Sequence, residues 1–137
     1  MSSYSDDFFN MPNPEPWKGK SVLIVEDDEV SLLLLKEFLQ DTELTIYSAI
    51  SGEEAVAIFE KHPDIDLVLM DLQLPEMNGF EAFEAIKKIN KEVPVVAQTA
   101  FYNTEMRNRC RDAGFAGFLP KPLVLTDCVN ELKKHLA

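Results

Sequence analysis

Short unbroken apolar runs alternate along this chain with stretches in which apolar residues return every three or four positions. Val22-Leu23-Ile24-Val25 has the length and continuity of a strand buried on both faces. The segment Val30 to Leu39 follows, and Val30, Leu33, Leu34 and Phe38 recur near helical spacing, which predicts a helix with that face inward. Leu44 to Ile50 reads as a second strand. Ser51, with Glu54 three residues on, has the form of a capping box and opens a helix through Lys61 that carries Ala55, Ile58 and Phe59. Leu67-Val68-Leu69-Met70 is a third strand, and Pro75 and Asn78-Gly79 mark the loop after it. A third helix is predicted over Phe80 to Asn90 with Phe83, Ile86 and Ile89 on one side. A strand over Val93 to Gln98, a helix from about Asn103 to Ala113, a short strand Gly117-Phe118-Leu119 and a helix Val124 to Leu136 complete the series. Strands that alternate with helices in this way predict an α/β fold, a doubly wound parallel sheet of five strands with right-handed crossovers.

Residues 1–19 break the alternation. Pro12, Pro14 and Pro16 among Ser, Asp and Asn suit a flexible N-terminal arm or the remnant of a linker, leaving 20–137 as one domain. Phe8, Phe9, Met11 and Trp17 are unusual in such an arm, and packing of Trp17 on the domain edge is expected. The 137 residues, 46% of them apolar, suffice for a core without metal or disulfide staples, and Cys110 and Cys128 form no disulfide framework. Lys plus Arg number 13 against 24 Asp plus Glu, for a net charge of −11. That charge disfavours nucleic acid and anionic membrane surfaces as partners of this chain. No apolar run approaches a membrane span and the N-terminus lacks a signal peptide's pattern, so a cytoplasmic location is expected.

In a doubly wound sheet a ligand sits beyond the carboxyl ends of the strands, where strand order reverses. The residues that follow the apolar runs are Glu26, Asp27, Asp28 and Glu29, then Asp71, then Thr99 and Ala100, then Lys121 and Pro122. Singly each has an ordinary explanation: Asp28 and Thr99 suit helix caps and Lys121 a solvated surface. Jointly they place several carboxylates at one sheet edge. Their repulsion calls for a cation, and an oxygen-only ligand set points to Mg²⁺, with Mn²⁺ as a substitute. Asp71 stands alone after a central strand and is the best candidate for a nucleophile that forms an aspartyl phosphate, whereas Glu26 and Asp27 sit side by side like metal ligands. Neither a GxGxxG nor a GxxxxGK[S/T] pattern is present, so the phosphoryl donor is expected to come from outside.

These residues resemble a response-regulator receiver domain, the phosphoacceptor module of two-component signalling. The resemblance covers about Lys20 to Leu136. It rests on an ordered set: Val22-Leu23-Ile24-Val25-Glu26-Asp27-Asp28-Glu29, Met70-Asp71-Leu72-Gln73-Leu74-Pro75-Glu76-Met77-Asn78-Gly79, Gln98-Thr99-Ala100 and Pro120-Lys121-Pro122. With the Trp17-Lys18-Gly19-Lys20 lead-in, it reads most like the receivers of hybrid sensor histidine kinases. The resemblance implies a flavodoxin-like topology with strand order 2-1-3-4-5. Asp71 would be the phosphorylated residue. Asp27, Asp71 and the Gln73 carbonyl would hold Mg²⁺, with Glu26 acting mainly through water. Lys121 would pair with the phosphoryl group after a cis Lys121-Pro122 bond, and Thr99 would move onto a phosphoryl oxygen. Phe118 matches an aromatic switch position where many members carry tyrosine, so its inward state would rest on packing alone. Partners would be a sensor histidine kinase or histidine phosphotransfer protein, with a homodimer through the fourth helix, fifth strand and fifth helix as an ordinary pairing. The Gln73 side chain would lean over the site and affect loss of the phosphoryl group by water.

Two other readings stand beside this one. A degenerate receiver would bind partners without phosphorylation. A hydrolase of the aspartyl-phosphate type would need a carboxylate two residues after Asp71, where Gln73 stands. No helix-turn-helix segment follows the last helix, which argues against a DNA-binding regulator. His62, His135, Cys110 and Cys128 read as structural, and Arg107, Arg109 and Arg111 as a solvated helix face near Phe101 and Tyr102.

Overall fold

The computed structural model describes residues 17–74 and 76–136. Its elements are β1 (Ser21–Val25), α1 (Glu29–Leu39), a 3-10 turn (Gln40–Thr42), β2 (Thr45–Ala49), α2 (Gly52–Lys61), β3 (Leu67–Asp71), α3 (Gly79–Ile89), β4 (Val95–Thr99), α4 (Thr104–Ala113), β5 (Gly117–Pro120) and α5 (Leu125–Leu136). The strands form one sheet in the order β2-β1-β3-β4-β5, every neighbouring pair parallel. This is the architecture that the alternation of elements implies.

The side-chain period of two sorts each inner strand between two cores. Leu23, Val25, Val68, Met70, Val95 and Ala97 face α2, α3 and α4, where Phe59, Phe83, Ile86 and Cys110 meet them. Val22, Ile24, Leu67, Leu69 and Val96 face α1 and α5, where Leu35, Leu39, Cys128 and Leu132 meet them. Helix starts are closed by short polar side chains. Asp28 accepts from the Val30 N–H, Ser51 from Glu54, Asn103 from Met106, and Asn78 forms a reciprocal capping box with Glu81.

The inward face of α1 differs from the one its spacing suggested. Val30, Leu33 and Leu34 are 65%, 57% and 58% exposed, while Leu32, Leu35 and Leu39 are buried. Leu32 to Leu35 is a run of four leucines, so two helical phases fit the sequence equally and only contact with the sheet selects one. Ile89 likewise lies 39% exposed at the end of α3, whose buried residues are Gly79, Ala82, Phe83 and Ile86. The expected arm of residues 1–19 lies outside the described residues up to position 16, Phe8, Phe9 and Met11 included. Trp17 is buried in the α1–α5 core, and its N–H donates to the Thr42 carbonyl at 2.6 Å.

Gly79 is required by space rather than by its dihedral angles. A Cβ there would stand 2.6 Å from the Asp71 carbonyl oxygen and 2.7 Å from the Leu72 Cα, both backbone atoms that cannot turn aside. Gly79→Ala should therefore cost about 1–3 kcal/mol as an overpacked contact. Urea unfolding with an unchanged slope would check this, and a loss near zero would show that α3 can back away from β3.

Candidate functional site

Four strand ends converge at one edge of the sheet. Glu26 follows β1 and is tied there by its N–H to the Ala49 carbonyl at 2.9 Å. Asp71 ends β3. Both are 1% exposed, while Asp27 faces solvent. One carboxylate oxygen from each of Glu26, Asp27 and Asp71 lies within 4.8 Å of the others. Lys121 follows β5 and is set by its N–H to the Thr99 carbonyl at 2.9 Å. Its Nζ donates to Glu26 Oε2 at 2.7 Å and to Asp71 Oδ2 at 2.6 Å. The Lys121-Pro122 bond is cis.

Among the described residues, three carboxylates thus gather around one ammonium that bonds two of them, Glu26 and Asp71, which leaves a negative pocket. An oxygen-only donor set with uncompensated charge fits a hard divalent cation such as Mg²⁺. Burial, together with the hydrogen bond and charge of neighbouring Asp71, raises the Glu26 carboxyl from 4.5 to about 7 against the opposing pull of Lys121. Burial works against the Lys121 ammonium, but the hydrogen bonds and charges of Asp71 and Glu26 outweigh it and raise its pKa. Between 4.5 and about 7 the folded protein therefore binds more protons at Glu26 than the unfolded chain does. In metal-free protein this group's contribution to stability is fully present below 4.5 and is lost as the pH rises through the window to about 7. Thermal melts in chelator should show that decline in the wild type, and Glu26→Gln should flatten it. An equal slope in both would place the titration elsewhere.

The remaining predicted residues fall around this pocket. Thr99 ends β4, fully buried, and its Oγ1 accepts from Gln73 Nε2 at 2.8 Å and from the Phe101 N–H at 2.9 Å. The Gln73 N–H donates to Asp71 Oδ1 at 2.9 Å, and Gln73 Oε1 accepts from the Ala100 N–H at 3.2 Å. Asp28 points away to cap α1, bonded to Val30 N and Ser31 Oγ; the Ser31 hydroxyl, with the Val30 N–H, holds its carboxyl below the ordinary range. Phe118 lies outside the pocket, half-buried on β5 and stacked on Tyr102 with ring centroids 4.8 Å apart. Cys110 and Cys128 are buried, and burial, with the Glu131 charge behind it, pushes the Cys128 thiol up to about 12. Arg109 covers the Phe80 ring at 4.1 Å, His62 stacks on Tyr47, and His135 lies 3.2 Å from Glu131.

The positions that follow the apolar runs do not single out the side chain of Gln98. It is buried, opposite Asp71 in the strand register, its Nε2 reaches the Val25 carbonyl at 3.4 Å, and its Oε1 has no partner among the described residues. The signal was present as one polar residue closing the run Val95-Val96-Ala97, inside the strand rather than after it.

Known proteins are similar to this chain in sequence and fold. The family model described as "Response regulator receiver domain" matches residues 22–133. The hybrid signal transduction histidine kinase B of Dictyostelium discoideum is 35% identical over 133 residues, covering 87% of this chain and 7% of the kinase. The polar-differentiation response regulator DivK of Brucella ovis is 34% identical over 120 residues, covering 85% of this chain and 96% of DivK. The non-phosphorylated HemR receiver domain of Leptospira biflexa superposes with a TM-score of 0.79 at 34% identity, covering 86% of this chain and 94% of that one. The CheX-CheY-BeF3-Mg complex of Borrelia burgdorferi holds a chain with a TM-score of 0.81 at 25% identity, with coverages of 91% and 97%. No helix among the described residues is long and apolar enough to cross a membrane. Since the family model runs through all five strands and a relative is matched almost end to end, the chain belongs to the response regulator receiver domain family of two-component signalling.

Proposed function

We propose that this domain takes a phosphoryl group onto Asp71 from a phosphohistidine of a sensor kinase or phosphotransfer protein. The observation that carries this reading is the Lys121 ammonium, held between Glu26 and Asp71 at 2.7 and 2.6 Å. An Asp71 carboxylate oxygen attacks phosphorus, the donor's P–N bond breaks, and the electron pair stays on the imidazole nitrogen. Lys121 donates to Asp71 Oδ2 and stands where it can follow a phosphoryl oxygen. The Gln73 N–H on Oδ1 orients the carboxylate. Asp27, Asp71 and the Gln73 carbonyl would hold Mg²⁺ or Mn²⁺, with Glu26 behind them, and the ion would offset the charge on the phosphoryl oxygens. Positioning and charge are most of the catalysis such a transfer needs.

Thr99 is the hydroxyl that follows the new phosphoryl group, and Phe118 is the aromatic that answers it on the face of α4, β5 and α5. That face carries a cavity of about 510 Å³ lined in part by Tyr102, Arg107, Phe118 and Glu131, and it suits a protein partner or a second copy of the chain. The hydrolase reading gains no support, because the residue two places after Asp71 offers an amide already bonded to Thr99 and Ala100. Intact-mass analysis after incubation with acetyl phosphate tests the proposal. One adduct that forms with Mg²⁺ and not with chelator supports it. No adduct from either acetyl phosphate or a phosphohistidine donor, with the fold intact, moves the weight to a receiver that binds partners without phosphorylation.

A further inference from the structure

We infer that the Gln73 carboxamide is a latch that holds Thr99 and the β4–α4 junction in the unphosphorylated setting, a positioning role that rests on the receiver reading of Asp71 and Thr99. Both ends of this one amide are engaged, on consecutive residues. Nε2 donates to Thr99 Oγ1 at 2.8 Å, and Oε1 accepts from the Ala100 N–H at 3.2 Å. Thr99 Oγ1 also accepts from the Phe101 N–H at 2.9 Å. A hydroxyl oxygen has two acceptor sites, so both are filled and the O–H hydrogen is the function left over. Thr99 is therefore polarised as a donor, the role that an anionic oxygen on Asp71 requires, yet it is tethered from two sides.

The tether has two consequences. Thr99 cannot shift toward Asp71 without loosening the amide that also holds Ala100. The Phe101 N–H rides on the same hydroxyl, so a displacement of Thr99 carries the backbone of Ala100 and Phe101 with it. Tyr102 comes next, stacked on Phe118, and Asn103 after it caps α4. Gln73 is bonded through its own N–H to Asp71. One residue thus touches the phosphoacceptor at its backbone and the output segment at its side chain. This gives the switch a concrete two-state element rather than a path traced by proximity. A latch of this kind stabilises the unphosphorylated state and so opposes any ligand that selects the other one.

The test uses the full chain and two substitutions. Gln73→Met keeps the length of the side chain and removes both hydrogen bonds. Gln73→Glu keeps an acceptor for the Ala100 N–H. Amide exchange followed by NMR in metal-free protein should be about tenfold or more faster at Ala100 in Gln73→Met, with β1 and α5 unchanged, and should slow again in Gln73→Glu. Beryllofluoride with Mg²⁺, a phosphoryl mimic, should bind Gln73→Met about tenfold more tightly than wild type, the equivalent of roughly one ordinary net hydrogen bond or slightly more. Unchanged exchange at Ala100 would overturn the latch itself. Faster exchange with equal or weaker beryllofluoride binding would overturn its opposition to the switch. Wild type that binds no beryllofluoride while Ala100 remains protected would overturn the receiver reading, and the latch's role with it, which separates that failure from the other two.

Discussion

Asp71→Asn should take up no phosphoryl group from acetyl phosphate under conditions in which the wild type gains one. The amide has nearly the shape of the carboxylate, so the packing at the end of β3 is kept, but the anionic oxygen that attacks phosphorus is gone. The loss is expected to be complete because Asp71 is the buried carboxylate that Lys121 and the Gln73 N–H jointly orient. The same substitution removes one of three carboxylates gathered within 4.8 Å. Relief of that repulsion should leave the metal-free variant at least as stable as wild type. Intact mass and thermal melts check the two halves separately. An adduct that survives on the variant would place the phosphoryl group on another residue and remove the central claim about this pocket.

Lys121→Ala should be the most destabilising change at the site. It strips the ammonium from Glu26 and Asp71, both 1% exposed, and a buried charge left without its partner costs about 3–5 kcal/mol. Glu26 softens that cost by taking a proton, and it does so readily because its carboxyl is already raised to about 7. The deficit relative to wild type should therefore be smaller at about pH 5, where Glu26 is neutral, than at about pH 8, where it is ionised. Adding Mg²⁺ should recover part of the loss at the higher pH. The double change with Asp71→Asn should cost less than Lys121→Ala alone, since the two side chains share one charge balance. Urea unfolding at both pH values, in chelator and again with Mg²⁺ added, measures all of this. A loss under about 1 kcal/mol that ignores pH would mean that the pair behaves as a solvated surface bridge.

The class of fold was legible because each inner strand is a short apolar run and α1 to α4 each open on a polar cap, features that depend only on neighbours in the chain. The acidic cluster was legible for a related reason. In a parallel sheet the carboxyl ends of the strands share one edge, so Glu26, Asp27, Asp71, Thr99 and Lys121 could be grouped from their places after the apolar runs. The phase of α1 was not legible, because a leucine run satisfies more than one helical face until the sheet selects Leu32, Leu35 and Leu39. Trp17 sat in proline-rich company that suggested an arm, and its burial depends on the Thr42 carbonyl and the α1–α5 core, which lie far from it in sequence.

Residue types and their order along the chain were thus enough to establish five strands, the edge on which charge gathers and the chemistry that oxygen ligands favour. Local hydrogen bonding and side-chain period act over a few residues and are written directly in the order of the amino acids. The bridge of Lys121 to both Glu26 and Asp71, the amide of Gln73 closed on Thr99 and Ala100, and the orphaned oxygen of Gln98 were decided only when β1, β3, β4 and β5 came together. The physical reason is range: a hydrogen bond forms or fails over a few tenths of an ångström, and no spacing in sequence fixes the distance between side chains carried on different strands.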